Sequence, residues 1–252
     1  MARLSRTLRF IGFTLIEYVR SGRILIELIA AAIFFYVFLQ KYRVDANYFF
    51  TVNGVFGPLL TLYTMSAVIG LGDRPQGYIL LVRRLSRADY LLGLYVTALA
   101  IVAGIYGLIS VASALINPPS GLTLTAWLLG TLPMLLNYCL LAALMLMLSP
   151  LVFPASWRLF VLSLIALAFS SNFISGTMRD ALPAVVQAIL RAIQAILGGP
   201  LVPAFYGFQL AVTRDYSAPT AIINIIAQCS LLISLLIMSV YSFNRRDLVF
   251  NQ

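Results

Sequence analysis

The sequence predicts an all-α protein threaded several times through a membrane. Of its 252 residues, 62% are hydrophobic and only 10% are charged, and the mean hydropathy is +0.97. A soluble domain carries about 25% charged residues, so this chain has too few charges to cover a water-facing globule. The same shortage excludes disorder. The apolar residues gather into six runs whose lengths approach the roughly 20 residues that cross a bilayer core. Arginines flank those runs. The net charge of +9 is therefore read as topogenic, not as a nucleic-acid surface.

Absences narrow the chemistry further. The chain has no His, so Ser-His and zinc-hydrolase mechanisms lack a base. None of its eight acidic residues forms a D-x-x-D or D-x-x-x-D pair, the spacing by which an intramembrane enzyme would hold Mg²⁺. The one lysine, Lys41, precedes Tyr42, whereas a P-loop needs Gly-Lys-Ser/Thr. The chain thus offers no catalytic residue, no metal set and no ATPase loop of its own. Cys139 and Cys229 lie inside apolar runs and read as small buried hydrophobes.

Residues 1–23 place Arg3, Arg6, Arg9, Arg20 and Arg23 among Leu4, Leu8, Phe10, Ile11, Phe13, Leu15 and Ile16. This pattern reads as an amphipathic helix in the headgroup plane. A signal peptide is the rival, but no small-x-small cleavage site follows Ile24–Leu39. The six expected spans are Ile24–Leu39, Tyr48–Leu71, Tyr90–Ile116, Leu124–Leu148, Leu159–Ile174 and Thr220–Tyr241. With these spans, twelve of the basic residues fall on one side and five (Lys41, Arg43, Arg179, Arg191, Arg214) on the other. Both termini are therefore expected in the cytoplasm, which demands an even number of crossings.

That parity decides the segment Leu182–Leu210. Its run Ala184–Leu197 spans roughly 21 Å as a helix, too short to cross about 30 Å of hydrocarbon. Gly198, Gly199, Pro200 and Pro203 are expected to break it. It is read as an external helix that dips into the outer leaflet and returns.

Polar residues within the spans each have a bland reading and a functional one. Glu27 is the only acid inside a span, and an intramembrane carboxylate is by default a functional candidate. The bland reading is an ion pair with Arg23 four residues earlier, or a partner in the N-terminal helix. Asn53, Gly57, Thr61 and Thr64 fall on one face of the second span, and the fifth ends in Ser170, Ser171 and Asn172. Helix packing through small and hydroxyl residues accounts for such faces, and so would the lining of a path. Asn137, Asn224 and Gln228 are expected to form inter-helix hydrogen bonds. Pro133 and Pro150 are expected to kink or end the fourth span.

The loop after the second span is the most informative stretch. Gly72–Gly93 reads GDRPQGYILLVRRLSRADYLLG. It holds an acid–Arg pair, an apolar run, a basic cluster, and Ser86 as an N-cap with Asp89 three residues on. It resembles the first cytoplasmic loop of ABC-transporter permeases of the type-2 exporter family. Their pattern is roughly acid-Arg-x-x-Gly, a Leu-Leu run, Pro-x-Ser-Arg, then Tyr-Leu-Leu-Gly-Lys. The matches are Asp73, Arg74, Gly77, Leu80, Leu81, Ser86, Arg87, Tyr90, Leu91, Leu92 and Gly93. Arg84 and Leu94 stand where the family often has Pro and Lys, and Asp73 where it usually has Glu. The motif covers about 20 residues, while the layout of spans agrees along the whole chain.

The resemblance implies a single permease domain over residues 1–252, with an interfacial helix (1–23), a coupling loop (72–89) and an external segment (176–217). It implies that Asp73, Arg74, Gly77, Arg83, Arg84, Ser86 and Arg87 couple to a separate ABC ATPase chain, which carries the ATP and Mg. It implies a translocation path lined by Asn53, Thr61, Thr64, Ser170, Ser171 and Asn172 at the interface with a second permease subunit, identical or related. No cofactor, metal or nucleic acid is expected on this chain, and membrane lipids are expected partners. The expected location is a prokaryotic plasma membrane. The uncharged path suits a passenger that is amphipathic or apolar, or one handled mainly at the membrane surface. The alternative is a non-transport scaffold or assembly subunit of a larger complex.

Overall fold

The computed structural model describes residues 2–41, 43–72, 85–153, 188, 192, 202–217 and 219–245. Among them the architecture is all helical, apart from one isolated parallel bridge between Asp45 and Ser120. The fifth expected span, Leu159–Ile174, and the run Ala184–Leu197 lie outside this set, save residues 188 and 192.

Helix α1 is Ala2–Arg20. Phe10, Thr14 and Tyr18, spaced by four, are its buried line. Leu8, Leu15 and Val19 are exposed on a second sector, and Arg6, Arg9 and Arg20 share a third with the exposed Phe13 and Ile16. The helix thus has a docking face, and its exposed surface mixes apolar side chains for lipid with arginines for headgroups. Its chain reverses at Gly22, whose φ of 75° is left-handed and suits glycine.

Helix α2, Arg23–Phe34, continues into a π-helical turn, Phe35–Gln40. Together they make the first of five helices, among the described residues, long and apolar enough to cross a membrane. Asn117 Nδ2 donates to Leu39 O at 2.7 Å, supplying a carbonyl that the end of the helix leaves free. Asp45 Oδ1 accepts from Tyr48 N at 2.9 Å and caps helix α3, Ala46–Gly72. Its 27 residues extend about 40 Å. Its buried line Phe49, Phe50, Asn53, Gly57, Leu60, Thr61, Thr64, Met65, Val68 has helical period, and this stripe carries much of the core.

Helix α4 is Arg87–Ile116 and α5 is Leu124–Met147. Their N-caps are Ser86, accepting from Asp89 N, and Thr123, accepting from Ala126 N. Pro133 stays inside α5. The helix stops just before Pro150 at the Leu148 cap, and Ser149–Val152 forms a turn. Helix α6 is Val202–Thr213, with Pro203 in its first turn, where its missing N–H costs nothing; the expected break at Gly198, Gly199 and Pro200 lies outside the described residues. Helix α7 is Pro219–Arg245.

Side-chain contacts define the two ends of the bundle. Phe34 stacks on Phe56 and Arg23 reaches Ala67 O, so α2 and α3 are antiparallel. Tyr90 Oη donates to Gly72 O and Tyr95 Oη to Cys139 O, so α4 opposes both α3 and α5. Gln228 meets Asn137 and Tyr216 Oη meets Leu129 O, so α7 runs parallel to α5. One end therefore gathers α1, Gly72, Arg87 and the close of α7. The other gathers Lys41, Asp45, Ser120 and Arg214.

Candidate functional site

The start of α4 ties three elements together, and the residues responsible are those of the loop motif. Tyr90, 1% exposed, donates its hydroxyl to Gly72 O at 2.5 Å, closing the last turn of α3. Arg87 Nη1 donates to Asn244 O at 3.0 Å and to Phe243 O at 3.4 Å. A guanidinium on terminal helix carbonyls also meets the negative end of the α7 dipole. Gly93 lies under the Phe10 ring of α1, and a Cβ there would stand 2.5 Å from a ring carbon. Phe10 also packs on Tyr90 with ring centroids 5.2 Å apart. The Tyr-Leu-Leu-Gly stretch is thus the platform on which α1 docks, with Leu91 fully buried beside it.

Ser86 and Arg87 are the only expected coupling residues among those described. Asp73, Arg74, Gly77, Arg83 and Arg84 lie outside the described residues. Both anchors of the loop are fixed, at Gly72 by Tyr90 and at Ser86 by the α4 cap.

The expected path residues divide likewise. Ser170, Ser171 and Asn172 lie outside the described residues. Asn53, Thr61 and Thr64 are at most 1% exposed and face the interior of this chain. Asn53 Nδ2, Thr61 Oγ1 and Thr64 Oγ1 each donate to the carbonyl four residues back, Phe49, Gly57 and Leu60. Tyr138 crosses from α5 to Asn53 O at 2.8 Å, over the gap left by Gly57.

Glu27 is buried and joins three helices. Its Oε1 accepts from Tyr18 Oη of α1 at 2.5 Å and lies 2.5 Å from Thr64 Oγ1 of α3, whose single proton is shared with Leu60 O. The expected partner in the N-terminal helix is Tyr18. The expected i,i+4 pairing is corrected, because Arg23 instead donates to Ala67 O at 2.5 Å. An arginine one turn from a helix end satisfies a free carbonyl there and keeps its head near water. Burial, then the Glu27 carboxyl, push the Tyr18 phenol well above its ordinary range, so Tyr18 remains a donor.

Two polar clusters were legible only in part. Asn137 and Gln228 do hydrogen-bond across helices, Gln228 Nε2 donating to Asn137 Oδ1 at 2.8 Å. They also grip the first turn of α6, through Asn137 Nδ2 on Ala204 O and Gln228 Nε2 on Pro203 O. At the opposite end Arg214, in left-handed backbone with φ 55°, lies over the Phe50 ring at 5.5 Å and donates to Asn47 Oδ1. Asp215 accepts from Ser217 Oγ and N, and those bonds hold its carboxyl below the usual range. Single exposed-looking polar residues in the sequence gave no sign of this packing.

Among the described residues no group of three or more His, Cys, Asp or Glu side chains is placed to hold a metal, and both cysteines are free. They are half-buried, on α5 and α7. Comparison of the chain with family models, curated proteins and solved structures returned no match.

Proposed function

We propose that this chain is the permease subunit of an ATP-driven exporter, pairing with a second permease subunit and borrowing hydrolysis from a separate ABC ATPase. The observation that carries the reading is the loop Gly72–Gly93, with its acid–Arg pair, its basic cluster and its Ser-Arg and Tyr-Leu-Leu-Gly closings. The physical setting supports it. The loop leaves α3 at Gly72 and enters α4 at Ser86, at the end of the bundle shared with α1 and the close of α7. A lever needs rigid ends, and Tyr90, Ser86 and Arg87 supply them. In this reading Arg83 and Arg84 meet acidic groups of the ATPase or lipid phosphates.

In the same reading the α1 end is cytoplasmic, since most basic residues fall there. Six crossings follow if the chain between Phe153 and Val202 returns once from the α1 end of the bundle to the other. Helix α6 is then a helix inserted to part of the membrane depth. Its 12 residues span about 18 Å, from the Asn137–Gln228 level to the Arg214 end.

The test is copurification. Tagged protein from its native membrane should bring with it a chain bearing a Walker A loop. Changing Arg83 and Arg84 together to Glu should release that chain or uncouple its ATPase activity from transport, with the protein still inserted. Attractive charges turned repulsive at an interface cost several kcal/mol in typical cases. Arg87 is left intact, because changing it would also strip the α7 carbonyls. Full retention of ATPase and transport in the double variant would remove the coupling role. The burial of Asn53, Thr61 and Thr64 inside the chain favours a second reading, a non-transport scaffold subunit, for which no ATPase accompanies the protein.

A further inference from the structure

Arg87, Tyr90 and Gly93 stand three residues apart, so they fan over one side of the first two turns of α4. Each faces a different helix. Arg87 Nη1 donates to Phe243 O and Asn244 O at the close of α7. Tyr90 Oη donates to Gly72 O at the close of α3, and Gly93 lies under Phe10 of α1. The loop Gly72–Ser86 is joined by chain to α3 and α4 alone. A displacement of this loop can reach α7 only through side chains, and Arg87 carries the described hydrogen bonds that lead there.

Helix α7 is held at few points. Its buried residues are Ala221, Gln228, Ser239 and Phe243, while Ile233, Ile237, Met238 and Tyr241 are exposed. Gln228 is the fixed point nearer the middle of the bundle. Its amide donates to Asn137 Oδ1 and to Pro203 O. The backbone of Gly207 lies so close that a Cβ there would stand 1.8 Å from Gln228 Nε2, which leaves no room for sliding. Asn244 follows Gln228 by 16 residues, about 24 Å along the helix. The hold of Arg87 on Phe243 O and Asn244 O, reinforced by the negative end of the helix dipole, thus acts at the end of a long arm. Coupling between distant sites travels through such contiguous bonds and rigid elements.

We propose that Arg87 is a positioning residue that makes α7 follow the loop: a partner that displaces Gly72–Ser86 draws the close of α7 with it, and α7 turns about Gln228. Because Gln228 also holds Pro203 O, the turn is passed to the first turn of α6. Arg87 then acts inside the chain and not on the partner's surface. The inference rests on the exporter reading for its partner, the ABC ATPase.

The test uses full-length protein with its copurified ATPase in nanodiscs. Spin labels replace Leu128 of α5 and Met238 of α7, both exposed, in a background of Cys139→Ala and Cys229→Ala. Labelled chain is diluted with unlabelled chain, so that distances within one chain are read. Trapping with ATP and vanadate should shift the distance between the two labels when Arg87 is present. In Arg87→Gln the ATPase should stay bound and hydrolyse ATP undiminished, the untrapped distance should be unchanged, and the shift should be lost. Arg87→Lys, which keeps a cationic donor, should restore part of it. An equal shift with Arg87 and with Gln, or no shift with Arg87, overturns the proposal. So does a changed untrapped distance in Arg87→Gln, which makes Arg87 a packing residue only, or loss of the ATPase, which puts Arg87 on the docking surface. If no ATPase accompanies the wild-type protein, the exporter reading falls and this inference falls with it.

Discussion

Gly57 and Gly104 both lie within long helices, yet their surroundings make opposite demands. A Cβ on Gly57 would stand 2.0 Å from the Tyr138 ring, and Tyr138 is pinned by its bond to Asn53 O. Nothing lies within 4 Å of a Cβ on Gly104. Gly57→Ala should therefore destabilise by about 1–3 kcal/mol, the usual cost of overpacking. Gly104→Ala should be neutral or stabilising by up to about 1 kcal/mol through helix propensity. Thermal melts in one detergent would decide, and equal shifts would mean that Tyr138 yields. Asp215 permits a pH prediction at the same scale. Its folded carboxyl is held low by Ser217, so its contribution is present above the ordinary aspartate range and is lost as pH falls through the lower, folded value. Ser217→Ala should return the Asp215 titration, followed by NMR, toward that ordinary range.

At the scale of elements, helix ends tell more than helix middles. Ser86→Ala removes the cap of α4 and should cost about 1 kcal/mol. Arg87→Ala exposes the Phe243 and Asn244 carbonyls and should cost roughly 0.3–1 kcal/mol by the dipole effect. Hydrogen exchange separates the two, since the first loosens the start of α4 and the second the last turn of α7. If Arg87→Ala leaves α7 exchange unchanged, the Arg87 bond is not a cap. The N-cap at Ser86 was legible because capping is local: Ser at the boundary, Asp three residues on. The grip of Arg87 on α7 was not legible, because it joins residues 157 positions apart. The extent of helix α6 was not legible for a related reason. Its proline and neighbouring glycines signal a break, while its helical state depends on packing against α3, α5 and α7.

For the whole molecule, the two ends of the bundle carry the topological prediction. Cysteines introduced near Arg84 and Asn251 should label from the cytoplasmic side, and those near Asp45 and Arg214 from the other. Labelling of Arg214 and Asn251 sites from one side would remove the even-crossing layout. The parallel course of α5 and α7, which Asn137 and Gln228 record, requires the intervening chain to join opposite ends.

Composition and periodicity alone determined the five membrane-length helices among the described residues, with their order and boundaries to within a few residues. They could do so because hydrocarbon imposes one rule everywhere: apolar runs of fixed length, with charges at their ends. The basic, amphipathic character of α1 followed from the same rule. Tertiary structure decided which polar residues meet. Asn53, Thr61 and Thr64 share a face by helical spacing, but only packing shows that face turned into the chain. Glu27 stands four residues from Arg23, yet its partners come from 9 and 37 residues away. Spacing along one helix ranks neighbours by sequence distance. A buried carboxyl instead takes whatever donors the adjoining helices bring within reach, and only the packed bundle specifies those.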